Sequence, residues 1–214
     1  MTESLPAPLL PLTPFETLMW RDDRPGYPMV FAVKAELRGE VNRNAFINAA
    51  RQAAERHPLL HSIVVHSQGC DCWRQLPSAA PEIVWLAEQA TVPPELWQGL
   101  NINQRGGLRL IVQATAQGSR VLLQYHHACT DGVGGLNYFG DLLGYYHAAL
   151  TGHLPRELSK PAETELLTQR GTLFPPEATT PVEQPPPAPP ASWWSRTIAT
   201  LRDSWNFATY RAAA

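Results

Sequence analysis

The chain has 214 residues, of which 44% are hydrophobic and 17% charged, and its formal net charge is −2. This composition is typical of a globular domain with a core of ordinary size and excludes a disordered chain. The charge gives no basic excess for an extended phosphate backbone, so nucleic acid is not an expected partner. The N-terminus lacks the pattern of a signal peptide and no apolar run is long enough to span a membrane, so we expect a cytoplasmic protein.

Helix and strand signals alternate in the first part of the chain. Thr13-Pro-Phe-Glu is a capping box that predicts a short helix through Trp20. Apolar residues alternate over residues 31–37, which predicts a strand, and Asn42 caps a following helix that Pro58 stops. The three cysteines, Cys70, Cys72 and Cys129, do not form the spacing of a disulfide framework, which fits a reducing compartment.

Further strands are predicted at residues 60–65, 83–86, 108–115 and 120–125, and the last two could pair antiparallel. Residues 70–81 are expected to be irregular or to form a hairpin. The pattern as a whole predicts an α/β (α+β) fold, in which helices pack on a mixed or antiparallel sheet as a two-layer sandwich.

A histidine motif follows the apolar strand predicted at residues 120–125. It reads Tyr-His-His-Ala-Cys-Thr-Asp-Gly-Val-Gly-Gly, and chance would produce His-His-x-x-x-Asp-Gly in roughly 4 of ten thousand chains of this composition. Apolar residues then recur at three- and four-residue steps over residues 133–150, which predicts a helix with that face in the core. The motif therefore fills a strand-to-helix turn, where side chains can reach a substrate. Its candidate functional residues are His126, His127, Asp131 and Gly132.

The motif resembles the signature of the chloramphenicol-acetyltransferase-like superfamily, which includes condensation domains of peptide synthetases, wax-ester and diacylglycerol acyltransferases, and carnitine acyltransferases. Residues 12–17, residues 37–41 with 56–61, and residues 107–110 resemble further blocks of condensation-type domains. The resemblance covers roughly residues 10 to 155 and implies a first lobe of that fold. The Asp-Phe-Gly-Trp-Gly motif of the second lobe is absent from the sequence. The resemblance therefore implies that a second lobe, or a second copy of the chain, completes the site.

His127 is the residue to which the resemblance assigns catalysis. It implies that His127 takes the proton from an acceptor hydroxyl, amine or thiol as that group attacks an acyl thioester. Imidazole has an ordinary pKa of about 6.5, so a neutral ring is available as a general base. Acyl-CoA or a phosphopantetheine carrier thioester is the expected co-substrate, a small molecule is the acceptor, and no cofactor is expected to stay bound. For an isolated histidine the alternative is a core residue bonded to a carbonyl.

The other motif residues are expected to support His127. As its strand neighbour, His126 should point to the opposite side, toward packing. Gly132 fits a turn that needs either a positive φ or close approach of a substrate to the backbone. Asp131 could be read as a catalytic carboxylate, but the resemblance implies a structural ion pair instead.

The partner of that ion pair is altered in this sequence. Condensation-type domains usually carry an arginine where this chain has His61. We therefore hypothesise that His61, or Arg109 or Arg120, contacts Asp131 and fixes the turn.

Two other functions remain open. The first is a non-catalytic binding or scaffold module that kept the fold and lost the site. The second is a metal site, which we do not expect because adjacent histidines on a strand diverge. Its ligands would be His126, His127, Asp131 and the cysteines Cys70 and Cys72.

The composition changes after residue 155. Eight of the sixteen residues from 175 to 190 are proline, which favours an extended spacer. We expect a lobe at residues 1–158, a proline-rich linker at 159–191 and an amphipathic helix at 192–214. This helix either contacts a membrane surface peripherally or packs against protein, as the start of a second lobe would.

Overall fold

A computed structural model of the chain describes residues 9–97, 99–161 and 164–170. Most of the predicted linker and the whole predicted helix at residues 192–214 lie outside these described residues. None of the described helices is long and apolar enough to cross a bilayer.

Seven strands and three α-helices follow one another in the described part of the chain. In chain order they are β1 (Leu10–Pro11), α1 (Pro14–Arg21), β2 (Val30–Arg38), α2 (Arg43–Glu55), β3 (Ser62–Ser67), β4 (Cys70–Gln75), β5 (Glu82–Leu86), β6 (Leu108–Thr115), β7 (Gly118–His126) and α3 (Gly132–Thr151). Short 3₁₀ helices lie at Pro58–His61, Pro94–Trp97 and Thr164–Gln169. The mixed helix and strand content predicted from the sequence is confirmed.

The strands form two sheets. The larger sheet has the order β2-β7-β6-β5, in which β6 and β7 pair antiparallel as predicted and β5 runs parallel to β6. The smaller sheet has the order β1-β4-β3. Residues 70–75 therefore form a hairpin with β3, which is one of the two structures expected for residues 70–81. The central strands β6 and β7 are largely buried, whereas β2 lies at an edge and alternates between half-buried and exposed residues. This alternation is expected for a strand with one solvated face.

Helices α2 and α3 pack against each other. The core face of α2 consists of Phe46 and small residues such as Ala49, Ala50 and Ala53, all of which are buried. Because alanine side chains are short, α3 can approach closely, and the Tyr138 hydroxyl donates a hydrogen bond of 3.3 Å to the Ala50 carbonyl. This contact holds α3, and with it the motif turn, against the rest of the core.

The buried face of α3 differs from the predicted one. Val133, Leu136 and Leu150 were expected in the core but are 68%, 53% and 55% exposed. The most buried residues are instead Gly135, Tyr138 and Leu142. Apolar residues surround most of this helix, so their spacing alone does not determine which side faces the core.

Candidate functional site

The motif turn joins the end of β7 to the start of α3. Asp131 caps α3, and its Oδ1 accepts a hydrogen bond of 2.8 Å from the Gly134 amide. Inside the turn the Cys129 amide donates to the His126 carbonyl at 2.9 Å. The buried Tyr125 hydroxyl donates to the Gly135 carbonyl at 2.8 Å and so ties the strand to the helix. The turn is thus fixed by hydrogen bonds on both sides.

Two glycines let the turn pack closely on its neighbours. A Cβ atom on Gly107 would lie 2.2 Å from the Cys129 Sγ, and one on Gly135 would lie 3.2 Å from the Phe31 ring. A side chain at Gly107 would therefore displace the turn. Cys129 is itself buried, and this burial raises the pKa of its thiol far above the ordinary value.

His127 is held by its backbone and by one aromatic ring. Its amide donates a hydrogen bond of 2.8 Å to the Met29 carbonyl, at the start of β2. Its imidazole packs against Phe31, with ring centroids 4.6 Å apart. No side chain or backbone group in the described residues hydrogen-bonds to the imidazole, which is half-buried. Burial lowers the pKa of His127 and the nearby Asp131 carboxylate partly offsets this, so the ring is neutral near pH 7.

His126 is completely buried. Its Nδ1 accepts a hydrogen bond of 3.1 Å from the Ala128 amide, which places the ring proton on Nε2. Nε2 lies 3.6 Å from the Asp23 Oδ2 and makes no hydrogen bond. Burial lowers the pKa of His126, and the Asp23 carboxylate opposes this shift. The two adjacent histidines therefore differ in environment: one imidazole is enclosed and the other is accessible.

No protein-family model and no curated protein matches the chain. Solved structures do match it. The X-domain in a complex from teicoplanin biosynthesis aligns with a TM-score of 0.63 and 21% identity over 78% of this chain and 40% of that chain. The starter condensation domain of rhizomide synthetase aligns with a TM-score of 0.63 and 20% identity over 77% of this chain and 43% of that chain.

The chain has the first-lobe fold of condensation domains. A third match widens this comparison: polyketide synthase associated protein 5 from Mycobacterium tuberculosis aligns with a TM-score of 0.53 and 22% identity over 78% of this chain and 41% of that chain. The chain therefore spans less than half the length of these solved chains. At these identities the likeness concerns the fold.

The ion pair hypothesised for Asp131 is not formed within this condensation-type lobe. His61 hydrogen-bonds to Gln75 instead, and it is buried at the end of a 3₁₀ helix, which lowers its pKa. Arg109 lies on β6 and contacts Glu82 at 3.0 Å, because the neighbouring strand β5 places that carboxylate beside it. Arg120 lies near the opposite end of β7 from the motif and contacts Glu36. The N-cap bond of Asp131 takes the place of the expected pair.

Gly132 is not in the positive-φ region, so that part of the expectation for this residue is wrong. A Cβ atom built on Gly132 would meet nothing within 4 Å. The neighbouring protein therefore does not require a glycine here. Of the two expected reasons for Gly132, only the close approach of a substrate to this exposed backbone remains.

His127 is not among the residues that line the two clefts described here. One has a volume of about 290 Å³ and is bordered by Trp20, Asp23 and Arg24 together with residues 100–103. The other has a volume of about 390 Å³, and His61 and Glu82 are among its lining residues. His127 itself is half-buried.

The residues considered for a metal site are not brought together. Cys70 and Cys72 lie on β4 in the smaller sheet, whereas the histidine motif follows β7 in the larger one. Across the described ranges, no group of three His, Cys, Asp or Glu side chains is placed to hold a metal ion.

Asp23 is the residue of the site that sequence reasoning missed. It follows α1 and contacts both His126 and the Met29 amide. Asp23 lies in a loop, belongs to no recognisable motif and is more than a hundred positions away from the histidine motif. Its contacts with that motif are visible only in the folded structure.

Proposed function

We propose that this lobe carries the catalytic base of an acyltransferase, which moves an acyl group from a thioester donor to a hydroxyl or amine acceptor. The observation that carries the proposal is the state of His127. Its imidazole is accessible, neutral and free of hydrogen bonds from the described residues, and its backbone is fixed at the end of a buried strand. A general base needs an unprotonated nitrogen within reach of the proton it removes.

The proposed reaction needs no covalent enzyme intermediate. His127 removes the proton from the acceptor as its oxygen or nitrogen attacks the thioester carbonyl. The tetrahedral intermediate then collapses, the carbon–sulfur bond breaks, and the imidazolium returns the proton to the leaving thiolate. A base of this kind typically contributes roughly 10²- to 10⁴-fold to the rate.

The donor is proposed to be an acyl-CoA or an acyl group on a phosphopantetheine carrier. A mutant of the starter condensation domain of rhizomide synthetase has been solved in complex with C8-CoA. This supports octanoyl-CoA as the first donor to test with the present chain. No cofactor is proposed to remain bound between turnovers.

The open side of His127 is proposed to be covered by a second lobe or by a second copy of the chain. Five large apolar side chains on α1 and α3 are more than half exposed: Phe15, Leu18, Val133, Leu136 and, at the far end of α3, Leu150. Apolar residues at such exposure are common individually, but several of them on two helices fit a surface that contacts protein. A cover would also exclude water and strengthen electrostatic interactions during acyl transfer.

The test compares the purified wild-type chain with His127→Gln. Each protein is incubated with octanoyl-CoA and a panel of amines and alcohols, and the acylated product is quantified by mass spectrometry. We expect His127→Gln to lower the rate by at least about 10²-fold. His153→Gln is the matched control, because His153 is an exposed histidine that hydrogen-bonds to the nearby Thr151. Equal rates for wild type and His127→Gln, zero included, contradict catalysis by this chain.

A second candidate function is a binding module without catalysis. It is favoured by the position of His127 outside both clefts. One structural neighbour, the X-domain from teicoplanin biosynthesis, has been solved in a complex with OxyB. Under this alternative the chain would bind a partner protein through the same open face, and His127→Gln would leave that binding unchanged.

A further inference from the structure

We infer that Asp23 is a positioning residue for the histidine motif. One oxygen of its carboxylate fixes the backbone to which His127 is bonded, and the other faces the buried ring of His126. The catalytic consequence rests on the proposed function, whereas the positioning itself does not.

A short chain of hydrogen bonds links Asp23 to His127. Asp23 Oδ1 accepts a hydrogen bond of 2.7 Å from the Met29 amide. The Met29 carbonyl in turn accepts the 2.8 Å hydrogen bond from the His127 amide. Met29 immediately precedes β2, which also carries the Phe31 ring that packs on His127. Asp23 therefore fixes the residue whose carbonyl holds the His127 amide, two residues before the ring that packs on the His127 imidazole.

The loop between α1 and β2 is shaped to make this contact. Arg24 and Tyr27 exchange backbone hydrogen bonds of 3.2 and 2.8 Å, and this tight turn brings Met29 back to Asp23. Gly99 lies opposite with a φ of +90°, and a Cβ atom there would lie 3.8 Å from Asp23 Oδ1 and 3.5 Å from Pro28. The carboxylate thus has the Met29 amide on one side and Gly99 close to it on another, while its side chain stays 25% exposed.

Asp23 also faces the enclosed imidazole of His126. His126 Nε2 carries the ring proton, is buried, and has no hydrogen-bond partner in the described structure. It lies 3.6 Å from Asp23 Oδ2, which is longer than a hydrogen bond but places the proton opposite a negative charge. The titratable groups that face His126 are Asp23 and His127. Of these two, Asp23 supplies the charge that compensates the buried N–H.

These contacts predict different effects for two substitutions at Asp23. Asp23→Ala removes the acceptor of the Met29 amide and leaves His126 without a facing charge. Asp23→Asn keeps an oxygen that can accept from Met29 but removes the charge. Asp22→Ala is the matched control, because the neighbouring Asp22 side chain pairs with the exposed Arg24 instead.

The experiment measures amide hydrogen exchange and histidine titration by NMR in the full chain. We expect exchange at the Met29 and His127 amides to be at least about tenfold faster in Asp23→Ala and close to wild type in Asp23→Asn and Asp22→Ala. We expect both Asp23 variants to lower the titration midpoint of His126, because the carboxylate favours its protonated form. If Asp23→Ala does not fold, the titration of Asp23→Asn decides the question.

Unchanged exchange at His127 in Asp23→Ala, or an unchanged His126 midpoint in Asp23→Asn, would overturn the inference. Both measurements are made without substrate, so they remain decisive even if the wild-type chain transfers no acyl group. If the wild type is active, Asp23→Ala should lower kcat at least about tenfold with little change in KM. The variant should still bind substrate, but its His127 base would be misplaced for the proton transfer. Full kcat in that variant would contradict the positioning role while leaving the proposed function intact.

Discussion

His127 is restrained at its backbone amide and on one ring face, and these restraints leave both ring nitrogens unbonded among the described residues. This arrangement suits a base that must accept and return a proton without being held by a competing hydrogen bond. The pKa of the ring is lowered by burial and raised by Asp131. Burial is the larger of the two effects, so the net pKa of His127 is lowered and its neutral form is favoured near pH 7.

The first prediction concerns Asp131→Asn. Asparagine is as good an N-cap as aspartate, so α3 should stay intact, but the charge that raises the pKa of His127 is lost. We expect the titration midpoint of His127 to move further below about 6.5, and any acyl transfer to reach its plateau at lower pH. NMR titration measures the midpoint. Asp131→Ala should in addition cost about 1 kcal/mol of stability, because it also removes the cap.

The second prediction concerns Gly132→Ala. A Cβ atom at this position meets nothing within 4 Å, so the free energy of unfolding should be unchanged or slightly higher. If a substrate approaches this backbone, acyl transfer should nevertheless fall. Gly140→Ala is the matched control, because Gly140 is also exposed on α3 with open space around it. Equal transfer rates for the two variants would argue against substrate contact at Gly132.

The sequence predicted the individual residues of the motif but not their contacts. The alternation of side chains along a strand correctly separates His126 from His127, because that geometry is local. The partners of His61, Arg109 and Arg120 depend instead on which strands become neighbours. A resemblance in sequence does not reveal that β5 places Glu82 beside Arg109.

At the scale of elements, one carboxylate joins α2 to α3. Asp141 on α3 accepts hydrogen bonds of 3.0 Å from both Arg56 and His57, which follow α2. Burial raises the pKa of Asp141, but these two hydrogen bonds outweigh it and the net pKa is lowered. A lowered pKa in the folded state means that the charged form stabilises the fold.

The third prediction follows from this pair of contacts. Asp141→Asn should destabilise the protein by about 1–3 kcal/mol at pH 7, since it weakens two hydrogen bonds to a charged group. The contribution is present above the ordinary aspartate pKa of about 3.9 and is lost as the pH falls through the lower pKa of the folded state. Denaturant unfolding of both proteins at pH 7 and pH 3 measures this. A difference that does not shrink at pH 3 would show that the charge is not the cause.

Element boundaries were predictable where a local signal specifies them. Thr13 and Asn42 cap their helices as expected, because capping depends on residues within one turn. The buried face of α3 was not predictable. It is selected by Gly135 and Tyr138 fitting against Phe31, Tyr125 and α2, and these contacts come from distant parts of the chain.

At the scale of the molecule, residues 164–170 of the predicted linker contact the lobe. The 3₁₀ helix Thr164–Gln169 precedes Arg170, whose guanidinium donates to Glu16 at 2.7 Å and to the Pro11 carbonyl at 2.6 Å. Glu16 is largely buried and also accepts from Trp73. Arg170 therefore neutralises a carboxylate that lies between α1 and the smaller sheet.

The fourth prediction compares two truncated chains. A chain that ends at residue 171 keeps the whole of the compact unit Met1–Gly171 and serves as the reference. A chain that ends at residue 161 loses Arg170 and should be less stable by about 1–3 kcal/mol, because a buried carboxylate loses its cation. Thermal unfolding measures both. Arg170→Gln in the full chain is the control, and it should reproduce most of the second effect if the ion pair is responsible.

The burial of Cys129 provides a way to observe the site directly. Its thiol lies beneath the histidine turn, against Gly107, and in the closed protein an alkylating reagent cannot reach it. In a chain whose Cys70 and Cys72 are replaced by serine, the rate at which iodoacetamide labels Cys129 would measure how often the turn opens locally. A molecule that binds against His127 should lower this labelling rate. A single sulfur atom could thus report ligand binding before any substrate is identified.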